Sequence, residues 1–306
     1  MSRKTIDGVF KSMGTEVSFK VVSDSEARKD QIKKGIKSIF KTSEAKFSRF
    51  SDSSELSLIN GNLNQELKIS SEMLKILLLC EKFNKISGGY FDPRIIGVLK
   101  KIGYKKDFGK KDFKLDKGKK VFDFKAPLDD DFKIDPQEGK IFLKKEIDTT
   151  GIVKGYTVDL AAKFLTGEGF KDFIVDAGGD MSIQGKNVYG KQWKIGVEGL
   201  AESQILLKLS GVGLATSGVN RKHWKINDKK FHHLINPLEP EKFSFDLKTV
   251  TVIRENTVEA DGRAKSLFLM GKEKGLKFAN QNKIKALFLD NNNNVYLSEA
   301  IKKHLF

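Results

Sequence analysis

The chain has 306 residues, of which 39% are hydrophobic and 31% charged, with a formal charge of +16. That apolar content builds a real core in one large domain or two small ones and excludes a disordered tail protein. No apolar run approaches the roughly 20 residues of a bilayer span, and the single cysteine, Cys80, excludes a disulfide framework or a multi-cysteine metal centre. Cys80 ends the apolar run that starts at Met73 and reads as core, not as a nucleophile.

The charge invites a nucleic-acid reading. Of the 56 basic residues only 7 are Arg, however, and base and phosphate readers favour the Arg fork. Lysines spread from end to end read more economically as a solvated surface with a weak pull on anionic ligands or membranes, so no nucleic-acid partner is expected. The opening M-S-R-K-T-I-D-G-V-F has no apolar stretch behind its basic residues and no lipid-acceptor cysteine. As written this predicts a cytoplasmic protein; a leader removed earlier would make it extracytoplasmic and membrane-associated.

In chain order, Glu16 to Val22 alternates as a strand with Val17, Phe19 and Val21 on one face. Ser23 and Glu26 read as a capping box for a helix carrying Ile32, Ile36, Ile39 and Phe40. A second helix starts after Ser70 and runs to about Ile86, stopped by Ser87-Gly88-Gly89. Residues 105–145 form a lysine-rich excursion, read as a solvated loop, that ends in a hairpin turning at Pro136-Gln137-Glu138-Gly139. A helix covers Gly155 to Leu165. Strands are predicted at Phe173–Asp176, Trp193–Glu198, Gln204–Ser210 and Leu247–Arg254, then a long helix from about Val258 to Asn280. The end reads as a hairpin, Ala286–Asp290 and Val295–Ser298. No repeat period appears, and strands and helices mix without strict alternation, which points to α+β.

Polar and glycine clusters sit at the ends of these elements. They are Gly88-Gly89-Tyr90-Phe91-Asp92-Pro93, Asp148-Thr149-Thr150-Gly151-Ile152-Val153-Lys154-Gly155 and Ala177-Gly178-Gly179-Asp180. Glycine there permits close approach of backbone to a ligand or serves an ordinary turn. Leu214-Ala215-Thr216-Ser217-Gly218 sets two hydroxyls beside a glycine, and Phe231-His232-His233-Leu234-Ile235-Asn236-Pro237 puts histidines on a strand. Glu259-Ala260-Asp261-Gly262-Arg263-Ala264-Lys265 opens the last helix; its acids suit either a hard cation or the helix dipole. Neither a Walker motif nor a dinucleotide fingerprint is present.

The order and spacing of these clusters resemble the FAD:protein FMN transferases, the ApbE family, from about Met13 to about Gly271. Met13-Gly14-Thr15 is similar to the opening M-G-T, and Phe47-Ser48-Arg49-Phe50 with Asp52-Ser53-Ser54-Glu55-Leu56-Ser57 to F-S-x-aromatic…D-S-E-[IL]-S. G-G-Y-F-D-P, the Asp148–Asp159 stretch, G-G-D, A-T-S-G, H-L-I-N-P and A-D-G-x-A follow in family order. The resemblance implies one α+β domain over 1–306, with antiparallel strands, packed helices and a flavin cleft between lobes. It implies an enzyme that moves the FMN half of FAD onto a Thr or Ser hydroxyl of an acceptor flavoprotein, releasing AMP with Mg²⁺. A membrane redox-complex subunit is one such acceptor.

The resemblance places Met13, Phe50, Tyr90, Phe91, Asp92, Asp148, Lys154, Thr216, Ser217 and His233 at FAD. It places the metal on Asp261 and Lys265, with backbone oxygens of Gly151 and Ala264. His233 and Asp261 are the implied catalytic residues, His233 as proton relay; His232 is its neighbour on the opposite strand face. Three departures stand out. Lys265 occupies the usual Thr position and pairs with Asp261 at i,i+4, weakening or partly replacing the metal. Thr150 stands where glycine is common, and Leu238-Glu239-Pro240 replaces R-T-G. The competing readings are a flavin-binding relative with an impaired metal site and an FAD hydrolase giving FMN and AMP.

Overall fold

A computed structural model describes residues 3–106, 108, 113–115, 124, 126–200, 205–220 and 222–304. In chain order the early elements are β1 (Lys4–Ser12), β2 (Thr15–Ser23), α1 (Lys29–Phe47), α2 (Glu55–Gly61), β3 (Glu66–Lys68), α3 (Ser71–Ser87) and α4 (Ile96–Lys101). Next come α5 (Leu128–Asp131), β4 (Phe132–Asp135), β5 (Lys140–Leu143), α6 (Thr150–Gly167), β6 (Phe173–Ala177), β7 (Asp180–Gln184), β8 (Trp193–Gly196) and β9 (Leu206–Leu209). The chain continues through β10 (Val212–Gly218), β11 (His223–Ile226), β12 (Lys229–His232), β13 (Leu247–Arg254), α7 (Thr257–Met270), α8 (Lys272–Gln281), β14 (Lys285–Asp290) and β15 (Val295–Leu297). The strand pairs are antiparallel and mixed with helices, the α+β class expected. No helix of the described residues is long and apolar enough to cross a membrane.

The chain divides into two compact units. The first comprises Met1–Glu44, Lys154–Gly218 and Asp246–Phe306. Its frame is an eight-stranded sheet in the order β1-β2-β6-β7-β10-β13-β14-β15. Ser12 pairs with Thr15, so Met13 and Gly14 form a two-residue turn, and both have positive φ, 52° and 65°. That matches the primed turns that suit strand twist. Val17, Phe19 and Val21 are buried, as their alternation requires, against Ile32, Ile36 and Phe40 of α1 and Val158, Ala161 and Leu165 of α6. A second cluster joins Trp193, Ile195, Leu207 and Leu209 of the β8–β9 hairpin to Leu214, Ile253 and Leu287 of the main sheet.

The second unit comprises Ala45–Val153 and Val219–Phe245. Its α3 is bounded as the sequence indicates. Ser70 Oγ accepts from Met73 N at 3.2 Å, and Gly88 closes the helix in the left-handed conformation. Cys80 is fully buried on this helix, and burial first, then Asp148 and Asp92, hold its thiol above the ordinary range. β4 and β5 close across residues 136–139, with Asp135 Oδ1 accepting from Gln137 N and Glu138 N. An aromatic cluster packs Tyr104, Phe113 and Phe231 around Trp224, whose Nε1 donates to Ile102 O at 2.9 Å.

Some expectations are corrected. Ser23 caps no helix: it ends β2 and bonds Ser25 through its hydroxyl, and α1 begins only at Lys29. The single helix from Val258 to Asn280 is two, α7 and α8, because Gly271 adopts φ 77° and ψ 176° and breaks the backbone path. α6 starts at Thr150, earlier than Gly155. The strand from Trp193 ends at Gly196. Of the lysine-rich excursion, residues 107, 109–112, 116–123 and 125 lie outside the described residues, as does Gln204.

Candidate active site

In the first unit, two carboxylates and two ammoniums meet. The β6–β7 hairpin turns through Gly178 and Gly179, and Gly179 N donates to Asp176 Oδ1 at 2.8 Å. A Cβ on Gly178 would lie 2.2 Å from Thr15 Oγ1, so only glycine fits this turn. The turn sets Asp180 at the start of β7, where it accepts from Lys154 Nζ of α6 at 2.5 Å. On α7, Lys265 Nζ donates to Asp261 Oδ1 at 2.6 Å, and Gly155 N reaches Asp261 Oδ2 at 3.3 Å. Asp180 and Asp261 are each 1% exposed.

Burial, then the negative charge of Asp261, pushes the Asp180 carboxyl up to about 6. Burial pulls the Lys154 ammonium down, but Asp180, Asp261 and Asp176 outweigh it and its pKa rises. The Lys154 ammonium therefore keeps its charge at neutral pH. Ammoniums in a water-poor corner offer point charge to the oxygens of a phosphate or pyrophosphate. Met13 stands at the tip of the β1–β2 turn, its N–H on Glu44 Oε1 at 3.0 Å. On β10, Thr216 Oγ1 pairs with Thr251 Oγ1 at 2.9 Å, and Ser217 is buried beside it in sequence. Ala264 is buried on α7.

The second unit holds the other expected residues. Asp148 opens α6: its Oδ1 accepts from Thr150 N at 2.8 Å and its own N–H donates to Pro93 O at 2.7 Å. Gly151 follows in the first turn of the helix. Arg49 Nε reaches Asp148 Oδ2, and its guanidinium lies 4.3 Å from the ring of Phe50, which is 37% exposed. Tyr90 is half-buried. Phe91 is buried against Phe83, and its carbonyl accepts from Asn84 Nδ2 at 2.9 Å. Asp92 gives both oxygens to Arg94.

The histidines differ. His232 ends β12 and is buried, with Nε2 on Ser244 O at 3.0 Å; burial pushes its pKa down to about 4. His233, expected on the strand, lies just past its end and is half-buried, with Nδ1 3.2 Å from Lys222 O. A ring nitrogen facing a carbonyl oxygen carries the proton, so His233 Nδ1 donates to Lys222 O.

Lys154, Asp261 and Lys265 thus share one cluster, and Phe50 and Asp148 share another through Arg49. Two participants were not singled out from the sequence. Asp180 had a signal as the last letter of G-G-D. Arg49 had none, because its partner lies far along the chain.

The metal set implied by the resemblance meets an obstacle here. Among the described residues no group of three or more His, Cys, Asp or Glu gathers to hold a metal ion. The Lys265 ammonium holds Asp261 Oδ1, and it has no lone pair to offer where a neutral hydroxyl ligand would stand. As arranged, this donor set does not fit a divalent cation.

The model of the ApbE family matches residues 13–288, and the chain belongs to that family. A protein of Haemophilus influenzae named FAD:protein FMN transferase is 28% identical over 311 residues, covering 96% of this chain and 89% of its own. One of that name from Chlamydia muridarum is 27% identical over 309 residues, covering 93% and 91%. Among solved structures, the apo form of the Pseudomonas stutzeri flavinyl transferase ApbE matches with a TM-score of 0.84 at 21% identity, covering 100% of this chain and 99% of that one. The fold is that of the ApbE structures.

Proposed function

We propose that this chain moves the FMN half of FAD onto a Thr or Ser hydroxyl of a target flavoprotein and releases AMP. One observation carries the reading: relatives bearing this activity in their names match 96% and 93% of the chain. The half-buried lysines support it, because pyrophosphate cleavage needs positive charge beside oxygens that gain negative charge.

The step is a displacement at phosphorus. The acceptor hydroxyl oxygen bonds to the FMN phosphorus, the P–O bond to the AMP phosphate breaks, and the bonding pair leaves on AMP. The hydroxyl proton goes to a general base, the role that the family resemblance gives His233. Lys154 and Lys265, which share one cluster, supply positive charge for the phosphate oxygens.

Mass spectrometry of a D-[GS]-x-[ST] peptide incubated with protein and FAD, with and without Mg²⁺, tests the reading. The expected result is a peptide heavier by one FMN and one AMP released per transfer. FMN and AMP without peptide modification would make the protein a hydrolase. FAD left intact would make it a flavin binder.

A further inference from the structure

The Asp261–Lys265 ion pair carries an inference about the source of positive charge at this site, one that rests on the FMN-transfer reading. The two residues lie one turn apart on α7, so their side chains reach the same patch. Asp261 is buried and the Lys265 side chain is 16% exposed, so the pair is shielded from the water that weakens surface ion pairs. The quartet Lys154, Lys265, Asp180 and Asp261 balances charge without any ion. A divalent cation on Asp261 would sit beside the Lys265 ammonium, which holds Oδ1 at 2.6 Å. Mg²⁺ demands oxygen ligands in near-ideal octahedral geometry, and an ammonium supplies none.

We propose that Lys265 stands in for a divalent cation on Asp261, so that Lys265 and Lys154 together supply the positive charge on the FAD pyrophosphate and FAD binds without metal. An ammonium has three N–H donors. Asp261 takes one from Lys265 and Asp180 takes one from Lys154, and the rest suit phosphate oxygens. The substitution keeps the sign of the charge and removes the dependence on free Mg²⁺.

The test is FAD binding, followed by flavin fluorescence, to the whole protein in EDTA and then in Mg²⁺, for wild type, Lys265→Thr and Lys265→Arg. Wild type is expected to bind FAD equally in both conditions, within about threefold, and Mg²⁺ alone is expected not to raise its melting temperature. Lys265→Thr should lose about tenfold or more in EDTA and regain it in Mg²⁺, while Lys265→Arg should keep metal-free binding. Wild-type binding that rises about tenfold or more with Mg²⁺ overturns the proposal and leaves the FMN-transfer reading intact. Absence of FAD binding in both conditions overturns the FMN-transfer reading, and the proposal with it. The wild-type comparison stands even if a variant does not fold.

Discussion

Arg49 Nε lies 3.1 Å from Asp148 Oδ2, and both side chains are buried. The guanidinium is held between the rings of Phe50 and Tyr104, at 4.3 and 4.5 Å, and donates from Nη1 to Tyr104 O at 3.2 Å. A buried ion pair adds little net stability, but breaking it strands a charge. Arg49→Met should therefore destabilise the fold by about 3–5 kcal/mol. The double change Arg49→Met, Asp148→Asn should cost less than the two single costs added. Denaturant unfolding of the four proteins measures this. Strictly additive losses would mean that the two residues do not depend on each other.

Asp159 of α6 accepts from Thr257 N at 2.8 Å and from Val258 N at 2.9 Å. These are donors that the first turn of α7 cannot satisfy by itself, while Asn256 caps Glu259 N. Asp159 thus supplies a second cap from a different helix and fixes where α7, with Asp261, begins. Asp159→Ala should cost about 2 kcal/mol and Asp159→Asn about half of that, since the amide keeps one acceptor oxygen. Amide exchange at Thr257 and Val258 should quicken most in the Ala variant. Unchanged protection there would remove the capping role.

The sequence revealed elements whose signal is local. The Val17, Phe19 and Val21 alternation, the Ser70 and Gly88 caps and the turn before Ile141 each lie within a few residues. β1 was missed because an edge strand with one face to water carries little pattern; only Ile6 and Ser12 of it are buried. β10 hid behind small and polar residues, which pack there because Gly213 lies against the start of α7. The α7–α8 break hid because a lone glycine in a helical pattern is usually tolerated. Ordered motifs and the i,i+4 spacing pointed to the Asp261–Lys265 pair. Arg49 with Asp148, and Asp159 with α7, are tertiary relationships between residues distant in sequence.

His232 gives a pH signature. Burial lowers its pKa from the ordinary 6.5 to about 4, so the folded state resists a proton that the unfolded chain accepts. Stability from neutral His232 is complete above about pH 6.5 and is lost as pH falls toward 4, up to about 3 kcal/mol. His232→Gln keeps a polar side chain without this titration. Its unfolding free energy should therefore vary less between pH 7.5 and pH 4.5 than that of wild type. Identical pH slopes for both proteins would assign the acid sensitivity to other groups.

Two glycines of α6 should respond to alanine with opposite sign. At Gly155 a Cβ would lie 2.9 Å from Thr257 O and from Val258 Cα, and 3.0 Å from Asp261 Cβ. The first two are backbone atoms and cannot swing aside. Helix propensity favours alanine by about 1 kcal/mol, whereas overpacking against fixed backbone costs about 1–3 kcal/mol, so the net effect is a loss. The same shift would press on Asp261, so FAD binding should weaken with stability. At Gly167, in the last turn of α6, a Cβ meets nothing within 4 Å. Only the propensity remains there, and Gly167→Ala should stabilise by a few tenths to about 1 kcal/mol without touching FAD affinity. Urea unfolding and FAD titration of both variants decide the matter. If Gly155→Ala were as stable as Gly167→Ala, α6 and the start of α7 would have to be farther apart than these distances state.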